Sequence, residues 1–165
     1  MKKLLLFSIL SIFAIDGIQA QGNLEAKVEV GFIIGDASDF TSLSIGAALA
    51  YFFEVSDVFQ VGPEIGYTNY FGKDFTSGSI TFKADDFGVV PILGKAKYNL
   101  SDQIDLEGGA GYAVFTGDGG GGEFTWRIDG SYEFSDGWRA AVGFNSITGD
   151  GGSIDSFLIG VRRDF

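Results

Sequence analysis

The last ten residues, SFLIGVRRDF (156–165), put an apolar side chain at the final position, where chain ends ordinarily fray in water. Steps of two place Phe157, Ile159, Val161, Arg163 and Phe165 on one side and Ser156, Leu158, Gly160, Arg162 and Asp164 on the other. This is the period of a β-strand with one apolar and one mixed face. Such a strand needs a partner sheet, a membrane, or both.

The same period recurs seven more times. Leu24 to Ile34 alternates against Glu25, Lys27, Glu29 and Gly31, and Leu43 to Phe53 against Ser44, Gly46 and Ala48. Phe59 to Tyr67 alternates against Gln60, Gly62, Glu64 and Gly66, and Val90 to Tyr98 against Leu93, Lys95 and Lys97. Leu106 to Val114 opposes Glu107, Gly109 and Gly111; Phe124 to Phe134 opposes Arg127, Asp129, Ser131 and Glu133; Trp138 to Phe144 opposes Arg139, Gly143 and Asn145. Eight alternating runs in one chain of 165 residues predict a single all-β domain.

The connections are of two kinds. After runs two, four and six an apolar residue precedes Ser-Asp (Val55-Ser56-Asp57, Leu100-Ser101-Asp102, Phe134-Ser135-Asp136), and Ser and Asp favour tight turns by bonding their own backbone. After the odd runs come GDASDFTS (35–42), FGKDFTSGS (71–79), TGDGGGG (116–122) and ITGDGGS (147–153), read as looser loops. An even strand number with tight turns at one end and looser loops at the other is the layout of an eight-stranded antiparallel up-and-down transmembrane β-barrel with both termini at the turn end. Pro63 and Pro91 fall inside runs, where a missing N–H predicts a bulge or a position near the membrane rim.

Composition narrows the function classes. Apolar residues make up 45% of the chain, yet after the first twenty residues no run is long enough for a transmembrane helix. The net charge of −11 argues against nucleic acid as a partner. Cysteine is absent, which excludes disulfides and thiolate metal sites. MKKLLLFSILSIFAIDGIQA (1–20) has two lysines, an apolar core and a terminal Ala20, and reads as a secretory signal peptide, leaving residues 21–165 as the barrel domain.

The direction of the two faces decides the class. A soluble barrel would line a ligand cavity with its apolar face. Here charged residues of the polar face alternate with small ones such as Gly46, Ala48, Gly109, Gly143 and Gly160, as a narrow lumen requires. Aromatic residues cluster toward both ends of the apolar face: Tyr51, Phe53, Tyr98, Tyr132 and Trp138 near the turns, Phe32, Tyr67, Tyr112, Phe124 and Trp126 near the loops. Two aromatic girdles around an aliphatic band match a bilayer.

These runs, the segment DFGVVPILGKAKYNLSD (86–102) and the ending at Phe165 resemble the small outer-membrane β-barrels related to the OmpA transmembrane domain and OmpX; GDASDF (35–40) and VGPEIGY (61–67) are most similar to the Bacteroidota type. The resemblance covers the whole chain after the signal peptide and implies the outer membrane of a Gram-negative bacterium. It further implies that Phe157, Ile159, Val161 and Phe165 form the C-terminal signal read by the barrel-assembly machinery. Arg163 departs from the apolar residue usual at its place, and no peptidoglycan-binding domain is expected.

Chemistry is sparse. Barrels of this shape that act on lipids use a histidine beside serine, and the chain has no histidine; nor does a Ser-x-x-Lys spacing occur, so no enzyme is expected. Asp36, Asp39, Asp118, Asp150 and Asp155 lie in or beside glycine-rich loops without calcium-loop spacing and read as solvated, so neither metal nor cofactor is expected. The lumen offers more: Glu29, Glu64, Glu107 and Asp129 lie at the depth of Lys95, Arg127 and Arg162. Unpaired, these charges would cost several kcal/mol each, so a mutually satisfied ion-pair network plugging the tube is expected. A gate that switches pairings and passes small ions is the other reading of the same residues. The function that follows is a non-enzymatic, monomeric integral outer-membrane protein in contact with lipid, serving envelope structure or surface interaction. A small porin-like channel comes second, and a soluble secreted ligand-binding barrel third.

Overall fold

The computed structural model describes residues 22–77, 80–117 and 120–165. The predicted signal peptide and Asp118 lie outside them. The strands are β1 (Asn23–Ile34), β2 (Thr41–Ser56), β3 (Phe59–Gly72), β4 (Asp74–Ser77), β5 (Ile80–Lys83), β6 (Phe87–Asn99), β7 (Ile104–Phe115), β8 (Gly122–Ser135), β9 (Trp138–Gly149) and β10 (Gly152–Asp164). Eight of them close a barrel in the order β1-β10-β9-β8-β7-β6-β3-β2, each antiparallel to its chain neighbour in the barrel, while β4 and β5 pair as a separate hairpin. β1 and β10 complete the ring, with Val28 opposite Val161 and Phe32 opposite Phe157. The Phe165 N–H donates to the Leu24 carbonyl at 2.9 Å, so the final residue is held in the closing seam.

Side-chain direction follows the alternation. Val142 and Ile159 are 63% and 57% exposed on the outer face, while Lys95 and Arg162 are 3% and 1% exposed within the tube. A soluble barrel requires the reverse order. Trp126, Phe144 and Phe157 form a run of rings on the outer face near the loop end, with centroids 5.4 and 5.8 Å apart. Tyr51 and Phe53 meet edge to face near the turn end.

At the turn end, β2 and β3 are joined by Asp57-Val58 and β8 and β9 by Asp136-Gly137, with Gly137 at φ +67°, where a side chain would be strained. The longer turn after β6 is held by Ser101, whose hydroxyl oxygen accepts from the N–H groups of Gln103 and Ile104. The loop end differs from expectation in three places. ITGDGGS is largely strand, because β9 runs to Gly149 and β10 begins at Gly152, leaving two residues between them. Within FGKDFTSGS, Phe71 and Gly72 end β3 and Asp74–Ser77 form one arm of the β4–β5 hairpin; residues 78 and 79 lie outside the described residues. A 3-10 helix spans Asp36–Asp39 within GDASD.

The prolines correct one of the two expectations, the bulge. The irregularities in register lie at Thr41/Leu43, Glu54/Ser56 and Glu133/Ser135, and neither Pro63 nor Pro91 sits at one. Pairing of β2 with β3 stops at Ala50/Glu64 and resumes in the same register at Phe53/Val61, skipping Pro63. Pairing of β3 with β6 likewise skips Pro91, between Ile65/Ile92 and Thr68/Val89. Each proline stays paired on its other side, with Gly94 and Ala113 respectively. An N–H in a sheet serves one neighbour only, so its loss opens a short gap on one side and leaves the other ladder intact.

Candidate functional site: the barrel lumen

The inward residues of the barrel strands form two tiers. Toward the turns the filling is ionic. Lys95 sits among carboxylates from three strands: Glu107 on β7 at hydrogen-bond contact, Glu64 on β3 at 3.1 Å and Asp129 on β8 at 3.6 Å. Arg127 forks onto Glu29 at 3.1 and 2.9 Å and turns its remaining edge to Asp129 at 2.8 and 2.6 Å, the planar bidentate geometry that guanidinium favours. Arg162 meets Glu107 at 2.5 Å and Asp129 at 3.5 Å. All seven residues read from the sequence as a lumen network therefore belong to one connected set.

The set extends further than that reading. Lys27 donates to Glu64 at 2.7 Å, and Lys97 bridges Glu25 at 2.5 Å and Glu107 at 3.2 Å while lying 4.4 Å above the Phe52 ring. A rim near the turns is built on Arg139, which holds Asp105, Glu133 and Asp164 at 2.6–2.8 Å; Ser131 donates to Asp105 at 2.6 Å. The added members lie on the same alternating faces, displaced along their strands. Period two names the face and leaves the height open, which is why strand tilt brings in partners that residue spacing does not indicate.

Space for these long side chains comes from glycine. A Cβ at Gly143 would lie 2.2 Å from Asp129 Oδ1, and one at Gly109 2.9 Å from Lys95 Cγ. Both glycines face strands that carry network residues, in the pairs Asp129/Gly143 and Lys95/Gly109.

Toward the loops the filling is apolar. Ile33, Tyr70, Val89, Ala113 and Ile147 form a buried cluster, packed by Ala37, Phe87, Phe115 and Ile154. Tyr70 and Phe87 stack with centroids 4.9 Å apart. The sequence reading missed this tier. Its signal is present where both phases turn apolar together, at Phe32-Ile33-Ile34 and Val89-Val90. Between the tiers lies a cavity of about 20 Å³ lined by Glu29, Arg127, Tyr70, Leu93, Thr125 and Ile147 among others, room for a single water. Among the described residues no three carboxylates converge on a metal position.

No protein-family model and no curated protein sequence matches the chain. Solved structures do. The attachment invasion locus protein Ail of Yersinia pestis superposes with a TM-score of 0.58 at 13% identity, over 88% of this chain and 100% of its own. It is also known in complex with the heparin analogue sucrose octasulfate, at 14% identity and a TM-score of 0.56, over 88% of this chain and 100% of that one. The N-terminal β-barrel domain of Pseudomonas aeruginosa OprF gives 0.56 at 13% identity over 89% and 100%, and the outer membrane enzyme PagL 0.58 at 17% over 84% and 98%. The shared property at these identities is the fold: the chain has the architecture of small outer-membrane β-barrels.

Proposed function

We propose that the chain is a non-enzymatic integral protein of the Gram-negative outer membrane, a filled barrel that serves as an envelope scaffold and offers its loop end as contact surface. One observation carries this reading: the exposed face is an aliphatic band with aromatic residues at both edges, and the ionic residues are inside. Strands of twelve to sixteen residues exceed the length a tilted strand needs to cross a bilayer. The barrel-assembly machinery is the expected partner during insertion. Phe157, Ile159 and Val161 stand on the outer face of β10, with Phe165 tied beside them. The barrel has no unpaired edge strand, which favours a monomer.

PagL shows that an enzyme can be built on this fold; the chain's lack of histidine removes the usual general base and supports the non-enzymatic reading. The loop end is acidic, with Asp36, Asp39, Asp85, Asp86, Glu123 and Asp150, so a polyanion of the kind seated on Ail is disfavoured. Fractionation of cells tests the placement: the protein should stay with the outer membrane until detergent is added and migrate faster on gels when unheated, and extraction by buffer alone overturns it. Planar-bilayer recording tests the filled lumen. A stable open state would replace the scaffold with the porin-like channel.

A further inference from the structure

The loop end carries a concave site that the lumen network does not use. A cleft of about 340 Å³ opens between the 3-10 helix, the loop-side ends of β7 and β8, and the β9–β10 turn, a volume in the range of small-molecule sites. Its floor is the upper surface of the apolar tier, Phe115, Ile147 and Ile154. Asp36 enters from the 3-10 helix and Glu123 from β8, and neither carboxylate is paired with a cation among the described residues. The β9–β10 side is bare: a Cβ at Gly151 or Gly152 would meet nothing within 4 Å, so among the described residues no side chain closes the mouth there.

We infer that this cleft binds a small amphipathic organic cation, an ammonium group on a hydrocarbon or aromatic body. The body would rest on the apolar floor and the ammonium would lie against the carboxylates of Asp36 and Glu123, both of which line the cleft. A neutral ligand of the same shape loses the electrostatic part, and an anion meets two carboxylates. The cleft belongs to the loop end whether or not the barrel sits in a bilayer, so this inference stands apart from the proposed membrane placement.

The test is titration of the full-length folded protein in lipid nanodiscs with benzylamine, benzyl alcohol and benzoate at pH 7, read by the methyl NMR shifts of Ile147 and Ile154. Benzylamine should bind at least about tenfold more tightly than benzyl alcohol, and benzoate should not bind. The double variant Asp36→Asn/Glu123→Gln should bring benzylamine to the level of benzyl alcohol, with heat-modifiable migration as the check on folding. Equal binding of amine and alcohol, no binding of either, or an amine preference that survives the double substitution overturns the inference. The ligand series on the unaltered protein decides the matter if the variant does not fold.

Discussion

The two tiers of the lumen fill the same tube by different physics. In the ionic tier every cation but Lys27, which meets Glu64 alone, is held by two or more carboxylates, so position is set by charge and hydrogen-bond direction. In the apolar tier Ile33, Val89 and Ile147 are held by shape and exclusion of water alone. Buried ion pairs give little net stability over an apolar filling but are costly to break, whereas an apolar core loses stability in proportion to the volume removed. The barrel thus combines a tier intolerant of single losses with one that responds by degrees.

Removing the cation at the centre of the ionic tier is the most severe test of that contrast. Lys95→Met leaves Glu64, Glu107 and Asp129 with one cation fewer and should lower unfolding free energy by about 3–5 kcal/mol, measured by urea titration in detergent micelles. A loss below about 1 kcal/mol would mean that water enters the tier and that its buried character is overstated.

The matching cut in the apolar tier is Ile147→Ala, expected to cost about 2–4 kcal/mol through transfer and cavity terms, while Ile147→Leu should cost less than about 1.5 kcal/mol. If the leucine variant is as damaging as the alanine one, the loop-side filling is as shape-specific as the network below it, and the distinction between the tiers fails. A double-mutant cycle of Lys95→Met and Glu107→Leu sharpens the comparison from the other side. The pair should show a coupling of about 1–3 kcal/mol, because the double variant keeps the interior charge balance that each single variant upsets.

The faces of the strands were readable from the sequence because alternation is a property of single residues: Val142 out and Arg127 in follow from period two. Height within the tube was readable only roughly. Glu29, Lys95 and Arg127 read as one group because they lie near mid-strand, but Lys97 to Glu25 joins β6 to β1 across the lumen, a contact set by tilt and closure. The apolar tier escaped notice because Val89 and Ile147 look like strand ends in sequence and become a plug only when the ring closes around them. The loop end hides its strands for a related reason. Glycine-rich ITGDGGS looks irregular by composition, yet two residues suffice to turn β9 into β10.

The seam between the tiers offers the smallest and most discriminating change. Thr125 on β8 donates its hydroxyl to the Ser146 carbonyl at 2.9 Å, has Asn145 Oδ1 at 3.2 Å, and lines the small cavity together with Arg127 below and Ile147 above. Thr125→Val preserves the shape and deletes the hydroxyl. Where the surroundings are polar, the loss of that hydrogen bond should cost about 1 kcal/mol. Where they behave as apolar core, the extra methyl offsets the loss and stability stays level or rises. The buried carbonyl and the neighbouring Arg127 favour the first outcome, a loss of about 1 kcal/mol in the same urea titration. A neutral or stabilising result would move the boundary down to Arg127 and make the ionic tier correspondingly shorter.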